Sequence, residues 1–215
     1  MYARVVEDGD DVVAQYWFFY VFNGPGNQGL GNWHEGDWEM IQLLFRDASP
    51  TDVLEERDRP HVVVFAQHGS GQQIDNWLSL RRDETHPFVF VAAGSHASYP
   101  QPGSYQRVLI LSDDASGEGP RLASEKYLDG LEAAGLQFPA EANGVAPTPY
   151  QLQLFDPATR WLAFEGHWGE QAESPLLGVA DSDYSRPTGP AFKGEKWERP
   201  VRWACDLPEE PSQFQ

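Results

Sequence analysis

A mostly β chain, folded as a two-sheet β-sandwich with one or two short helices, is the fold class this sequence predicts. Three observations carry it. Short apolar runs rich in aromatic and β-branched residues recur along the chain, and such residues fit a pleated, half-buried surface. Clusters drawn from 20 Gly and 17 Pro separate these runs, and Gly and Pro punctuate strands with turns. Amphipathic runs of helical period are scarce, so short strands outnumber helices.

Residues 12–22 (VVAQYWFFYVF) read as a buried strand that ends at Asn23-Gly24-Pro25-Gly26. A glycine-rich loop follows, then a strand that opens acidic and continues as Met40-Ile41-Gln42-Leu43-Leu44-Phe45. Residues 51–57 predict a short helix, with Ser49 as cap and Pro50 in its first turn. Further strands are expected over residues 61–68, 76–82, 88–93, 107–111, 151–155 and 161–164. Residues 124–134 predict the other helix: Ser124 caps it, Tyr127, Leu128, Leu131 and Ala134 form one stripe, and Gly135 ends it. From Glu170 the chain reads as loop, punctuated by Pro175, Pro187, Pro190 and Pro200. No repeat or second domain is evident, so residues 1–215 are expected to form one domain with its core over about 12–203.

Composition excludes several classes. Fifteen Lys and Arg against 33 Asp and Glu give a net charge of −18. Such a chain offers no basic surface to displace counterions from nucleic acid, and anionic lipid would need a bridging cation. Cys205 is the single cysteine, so neither an intrachain disulfide nor a thiolate zinc cluster can form. No basic leader precedes Glu7-Asp8-Gly9-Asp10-Asp11, and no apolar run reaches the roughly 18 residues of a membrane helix. The expectation is a cytoplasmic protein without a transmembrane segment.

The chemistry concentrates in Trp33-His34-Glu35-Gly36-Asp37-Trp38-Glu39. On a strand Asp37 and Glu39 face one way and Trp38 the other. Two neighbouring carboxylates repel, and a cation, a shared proton or a basic partner relieves the repulsion. His34, Asp37 and Glu39 therefore read as the nucleus of a divalent-metal site; the alternative is a solvated strand end. Three other histidines sit at strand ends among small residues, in Gln67-His68-Gly69, Ser95-His96-Ala97 and Gly166-His167-Trp168. Small neighbours leave room for a ligand, which makes His68, His96 and His167 candidate general bases.

Tyr16-Trp17-Phe18-Phe19-Tyr20, Phe22-Asn23-Gly24, His34-Glu35-Gly36-Asp37-Trp38-Glu39 and Gly94-Ser95-His96-Ala97-Ser98-Tyr99-Pro100 resemble, in that order, blocks of the vacuolar protein sorting-associated protein sixty-two family. The likeness runs over residues 15–203, through Gly166-His167-Trp168-Gly169, Gly189-Pro190-Ala191 and Lys196-Trp197. More distantly, the acidic block is similar to that of the necrosis- and ethylene-inducing cytolysins, β-sandwich proteins with a divalent cation. That resemblance implies a ligand set of His34, Asp37, Glu39 and Asn23, the last in place of an aspartate, while Gly36 replaces a second histidine. Membrane lysis is not implied, because the disulfides and leader of a secreted cytolysin are missing.

An oxygen-rich set of this kind favours calcium, magnesium or manganese. Two functions are open beside a purely structural cation. In one, the cation and the aromatic faces of Trp33, Trp38, Tyr99 and Trp168 bind a small polar ligand of the glycan or lipid-headgroup class. In the other, a metal-dependent enzyme of hydrolase or lyase type uses His96, His68 or His167 as its base.

Overall fold

The computed structural model describes residues 1–24, 34–55, 59–108, 111–115, 122–124, 133, 148–156, 158–170 and 187–209. Its frame is a six-stranded sheet. Strands β1 (Tyr2–Asp8), β2 (Asp11–Asn23), β3 (His34–Phe45), β4 (Val62–Gln67) and β5 (Ser70–Ile74) follow one another as antiparallel neighbours. Four short pairs come next: β6 (Arg82–Asp83) with β7 (His86–Pro87), β8 (Phe90–Val91) with β9 (Ser98–Tyr99), β10 (Gly103–Val108) with β11 (Leu111–Ala115), and β12 (Leu122–Ser124) with β13 (Thr148–Tyr150). The last strand, β14 (Gln153–Leu154), returns to the frame and pairs in parallel with β1.

The alternation of β2, β3 and β4 splits the core in two. Val13, Trp17, Trp38, Met40, Leu44, Val62, Val64 and Ala66 form one layer, with Trp203, Ala204 and Leu207 of the C-terminal segment. Val12, Ala14, Ile41, Leu43, Phe45, Val63 and Phe65 face the other way, against Trp77 and Leu80. A small third core of Ala92, Ala97, Tyr99 and Ala115 sits among the short pairs, and β9 lies against β3 and β4. The molecule is thus mostly β and sandwich-like, as its sequence predicts, although short pairs rather than one continuous sheet make up the layer beside the frame.

Several elements differ from expectation. Strand β1 precedes the expected core. Residues 161–164 are not a strand but part of a 3₁₀ turn, Arg160–Ala163, entered from a turn in which Asp156 Oδ1 accepts from the Ala158 amide at 2.7 Å. Residues 76–82 begin as another, Trp77–Ser79, because the Asn76 side chain caps it by accepting from the Leu78 amide. The strand expected over 107–111 spans the junction of β10 and β11. The supposed C-terminal loop holds helices Glu195–Glu198 and Pro200–Cys205; Pro200 marks a helix start, where its missing N–H costs nothing. A helix forms where one was expected over residues 51–57, but spans Pro50–Leu54, capped by Ser49; residues 56 and 57 lie outside the described residues. The helix expected over 124–134 lies outside the described residues, apart from Ser124, which is in β12. Among the described residues, no helix is long and apolar enough to cross a membrane.

Candidate functional site

The distal ends of β2 and β3 pair Asn23 with His34, Tyr20 with Asp37 and Phe18 with Glu39. Asp37 and Glu39 are each only 6% exposed, so the acidic strand end is buried rather than solvated. Burial comes first in raising the Glu39 carboxyl above the usual carboxylate range, and the Asp37 charge adds to it. Lys196 and Lys193 oppose that rise. The hydroxyl of Tyr20 is pushed up as well, by burial and then by the charges of Glu39 and Asp37.

His96 answers Asp37. Its Nδ1 lies 3.0 Å from Asp37 Oδ2, and its ring stacks on Tyr20 with centroids 4.0 Å apart and planes 2° from parallel. The carboxylate and the ring together fix the imidazole. His96 Nε2 has no hydrogen bond among the described residues. The backbone of His96 is left-handed at φ 56°, as is that of His68 at φ 57°. Such conformations are uncommon outside glycine and cluster at functional sites.

The second pair lies beside the first. His68 Nε2 is 3.0 Å from Asp113 Oδ2, and Asp113 also accepts from Ser95 Oγ at 2.6 Å and Tyr99 Oη at 2.7 Å. Ser95 bonds to the carboxylate rather than to His68, so this is not a nucleophilic triad. The ammonium of Lys196 donates to the backbone carbonyl of His68 and stands 5.2 Å over the Trp203 ring. Burial lowers the Lys196 ammonium, and Glu39 works against that fall.

His34 and Asn23 face each other in the β2–β3 register and bond to each other. Asn23 Nδ2 is 2.9 Å from His34 Nε2, and His34 Nδ1 is 3.2 Å from the Glu35 carbonyl. A carbonyl only accepts, so Nδ1 carries the proton and Nε2 accepts from the amide. Burial lowers the imidazole, in keeping with this neutral form. Among the described residues, no three His, Cys, Asp or Glu side chains lie close enough together to hold a metal ion.

The structure brings His96 onto Asp37 and buries Glu39 two residues along the same strand, with His68 alongside. Trp38 and Trp168 lie apart from these groups, and Tyr99 meets them through its hydroxyl on Asp113 rather than as an open ring face. Trp38 is on the opposite face, packed with Trp168 and Trp161 at centroid distances of 5.4 and 5.5 Å. Tyr99 is a core residue, 2% exposed and stacked on Tyr105. His167 pairs its backbone with Thr188, and no hydrogen bond among the described residues ties it to Asp37 or Glu39. Trp33 lies outside the described residues. Sequence reasoning missed Tyr20, Asp113 and Lys196. The alternation of β2 carried a signal for Tyr20, and Lys196 stood in the Lys196-Trp197 block of the family resemblance without a role; Asp113, in a stretch that reads as loop, carried none.

No protein-family model matches the chain, and no solved structure matches it. The chain is similar to a Saccharomyces cerevisiae protein described as "Putative vacuolar protein sorting-associated protein TDA6", 28% identical over 221 residues. That match takes in 88% of this chain but 43% of the yeast protein, so the chain spans less than half the length of that relative. The likeness read from the aromatic strand, the acidic block and the Gly94–Pro100 block is accordingly a resemblance to vacuolar protein sorting-associated proteins.

Proposed function

We propose that this domain binds a divalent cation, and through it a small polar ligand, at the buried end of β3. The observation that carries the reading is the side-by-side burial of Asp37 and Glu39, with Glu39 made proton-hungry by its surroundings. A bound cation relieves that repulsion as a proton does. Asp37 and Glu39 are the residues that would hold it, with solvent or ligand oxygens completing the shell. Such partly hydrated binding suits calcium, magnesium or manganese. The cation would supply a polar anchor, and His96 Nε2 a nearby donor or acceptor. The cytolysin resemblance belongs to the same proposal, as the source of the expected oxygen-rich set.

Calorimetric titration with calcium, magnesium and manganese in turn tests the reading, with thermal melting in parallel. Binding should raise the melting temperature by mass action, and Asp37→Asn should weaken it while the fold survives. Unchanged melting between excess chelator and millimolar concentrations of each cation would sink the proposal.

The Asp37–His96 contact favours a second reading. A carboxylate that orients an imidazole and leaves the other nitrogen open is the arrangement of a general base. Under it His96 is the catalytic base of a hydrolase or lyase. His96→Ala would then abolish turnover of a responsive ester or phosphate substrate without changing cation affinity. Loss of cation affinity in that variant would make His96 a ligand instead.

A further inference from the structure

Two margins of the frame are covered. Along β5 the Gln73 amide donates to the Pro208 carbonyl, and the side chains of Gln72 and Gln73 donate to the carbonyls of Glu209 and Leu207. Beside β1 lies β14. The distal part of β2 is different. Its pairing with β1 ends at Trp17, opposite Tyr2, whereas its pairing with β3 continues to Asn23. Residues 18–22 therefore have a strand on one side only. Among the described residues, no backbone hydrogen bond reaches them from the side of β1. In antiparallel pairing, successive residues turn their N–H and C=O to opposite sides. Every second residue here thus presents both groups to the open side, over about 17 Å. The side chains are open as well: Phe19 is 40%, Val21 77% and Phe22 46% exposed. Residues 16–22 (YWFFYVF) hold no charge and no proline, the devices that keep other chains off a sheet edge.

We infer that the open edge of β2 is an interaction surface that takes an extended basic peptide segment as an added strand, in line with β1. The main chain sets the form of the occupant, because a row of donors and acceptors at strand spacing is matched by another strand. The two faces of the sheet set its pattern. On one face Phe19 and Val21 call for apolar side chains at alternate positions. On the other, Phe22 pairs with Glu35, whose exposed carboxylate calls for cations at the positions between. The net charge of −18 favours the same sign of partner. A second copy of this chain is the other candidate for such an edge. Each copy would bring a charge of −18, however, and the stretch that pairs holds no cation to offset it. The inference does not rest on the cation proposal, because it uses the backbone of β2 and neither Asp37 nor Glu39.

The test is fluorescence anisotropy with a labelled peptide that alternates valine and lysine, and with a counterpart that alternates valine and glutamate. The lysine peptide should bind saturably, and roughly tenfold or more tightly than the glutamate peptide at low salt. Methylating the backbone nitrogen of every second residue removes the donors along one edge of the peptide. Of the two possible patterns, one should abolish binding and the other should preserve it. Hydrogen exchange should locate the contact, with alternate amides among residues 18–22 slowing about tenfold on saturation. Val21→Lys sets a charge against the peptide's valines and should weaken binding roughly tenfold; Val21 is exposed, so the variant keeps its fold. Absence of saturable binding by the lysine peptide would overturn the inference, as would equal binding of the two peptides or binding that survives both methylation patterns. So would sedimentation that shows a dimer dissociated by Val21→Lys, because the edge would then belong to a second copy.

Discussion

Burial by itself would push the Asp113 carboxyl up, but hydrogen bonds from His68, Ser95 and Tyr99, with the charge of His68, hold it at about 2 against an ordinary 3.8. Its proton is bound more weakly in the folded state than in the unfolded one. The stabilisation is therefore fully present above the ordinary value and is lost as pH falls toward the folded one. Asp113→Asn should destabilise the protein by roughly 2 kcal/mol at neutral pH. Urea unfolding should show the gap between variant and parent closing in acid. Glu39 has the opposite sign. Its raised value means that its contribution is present below the usual carboxylate range and is lost as pH rises through the folded value. A cation that binds Glu39 must expel its proton, so cation affinity should rise with pH up to that value and level off above it. Calorimetry across a pH series checks this slope; a flat profile would remove Glu39 from the ligand set. The acidic pair was legible in the sequence because both carboxylates sit on one strand. Its basic partners were not, because residue spacing carries no information about contacts made through tertiary folding.

Among the elements, β3 is the most constrained, and Gly36 shows why. It adopts φ +66°, and a Cβ there would meet the carbonyl oxygen of Trp168 at 2.4 Å. A side chain cannot enter without displacing the Trp168 segment. Any residue larger than glycine at this position therefore meets a local steric barrier. Gly36→Ala should cost about 1 to 3 kcal/mol in urea unfolding, and should change the fluorescence of the Trp38–Trp161–Trp168 cluster. The long strands were legible because β2, β3 and β4 alternate or run apolar over many residues, which leaves few competing readings. The short elements were not. The sequences around Trp77 and Trp161 are aromatic enough for strands, but capping by Asn76 and the turn at Asp156 decide for 3₁₀ geometry. Pro200 signals either a break or a helix start, and only the packing of Trp203 and Ala204 on the sheet selects the second.

At the scale of the whole molecule, buried glutamines fasten the C-terminal helices to the frame. Gln15 Nε2 donates to Gln42 Oε1 at 2.7 Å and to the Lys196 carbonyl at 2.6 Å, and Gln42 Nε2 donates to the Pro200 carbonyl at 2.8 Å. Gln42→Leu would strip partners from groups that cannot reach water, at a cost of roughly 1 to 3 kcal/mol. Hydrogen exchange should then report faster opening around Trp203 than around Val64. The glutamines read as polar interruptions of apolar strands in the sequence, and only the folded molecule shows what they hold. The same fastening brings Lys196 near enough to the carboxylates of β3 for its charge to oppose the rise of Glu39. Lys196→Gln should strengthen cation binding by removing a rival positive charge, and a titration showing weaker binding would refute that rivalry. This arrangement also has a consequence in time. Synthesis delivers Asp37 and Glu39 well before Lys196, and domains gather from the N-terminal side as synthesis proceeds. In the interval the two carboxylates lack the lysine charge that opposes the rise of Glu39. Charge balance at the end of β3 is therefore completed late in synthesis, by the segment that carries the C-terminal helices.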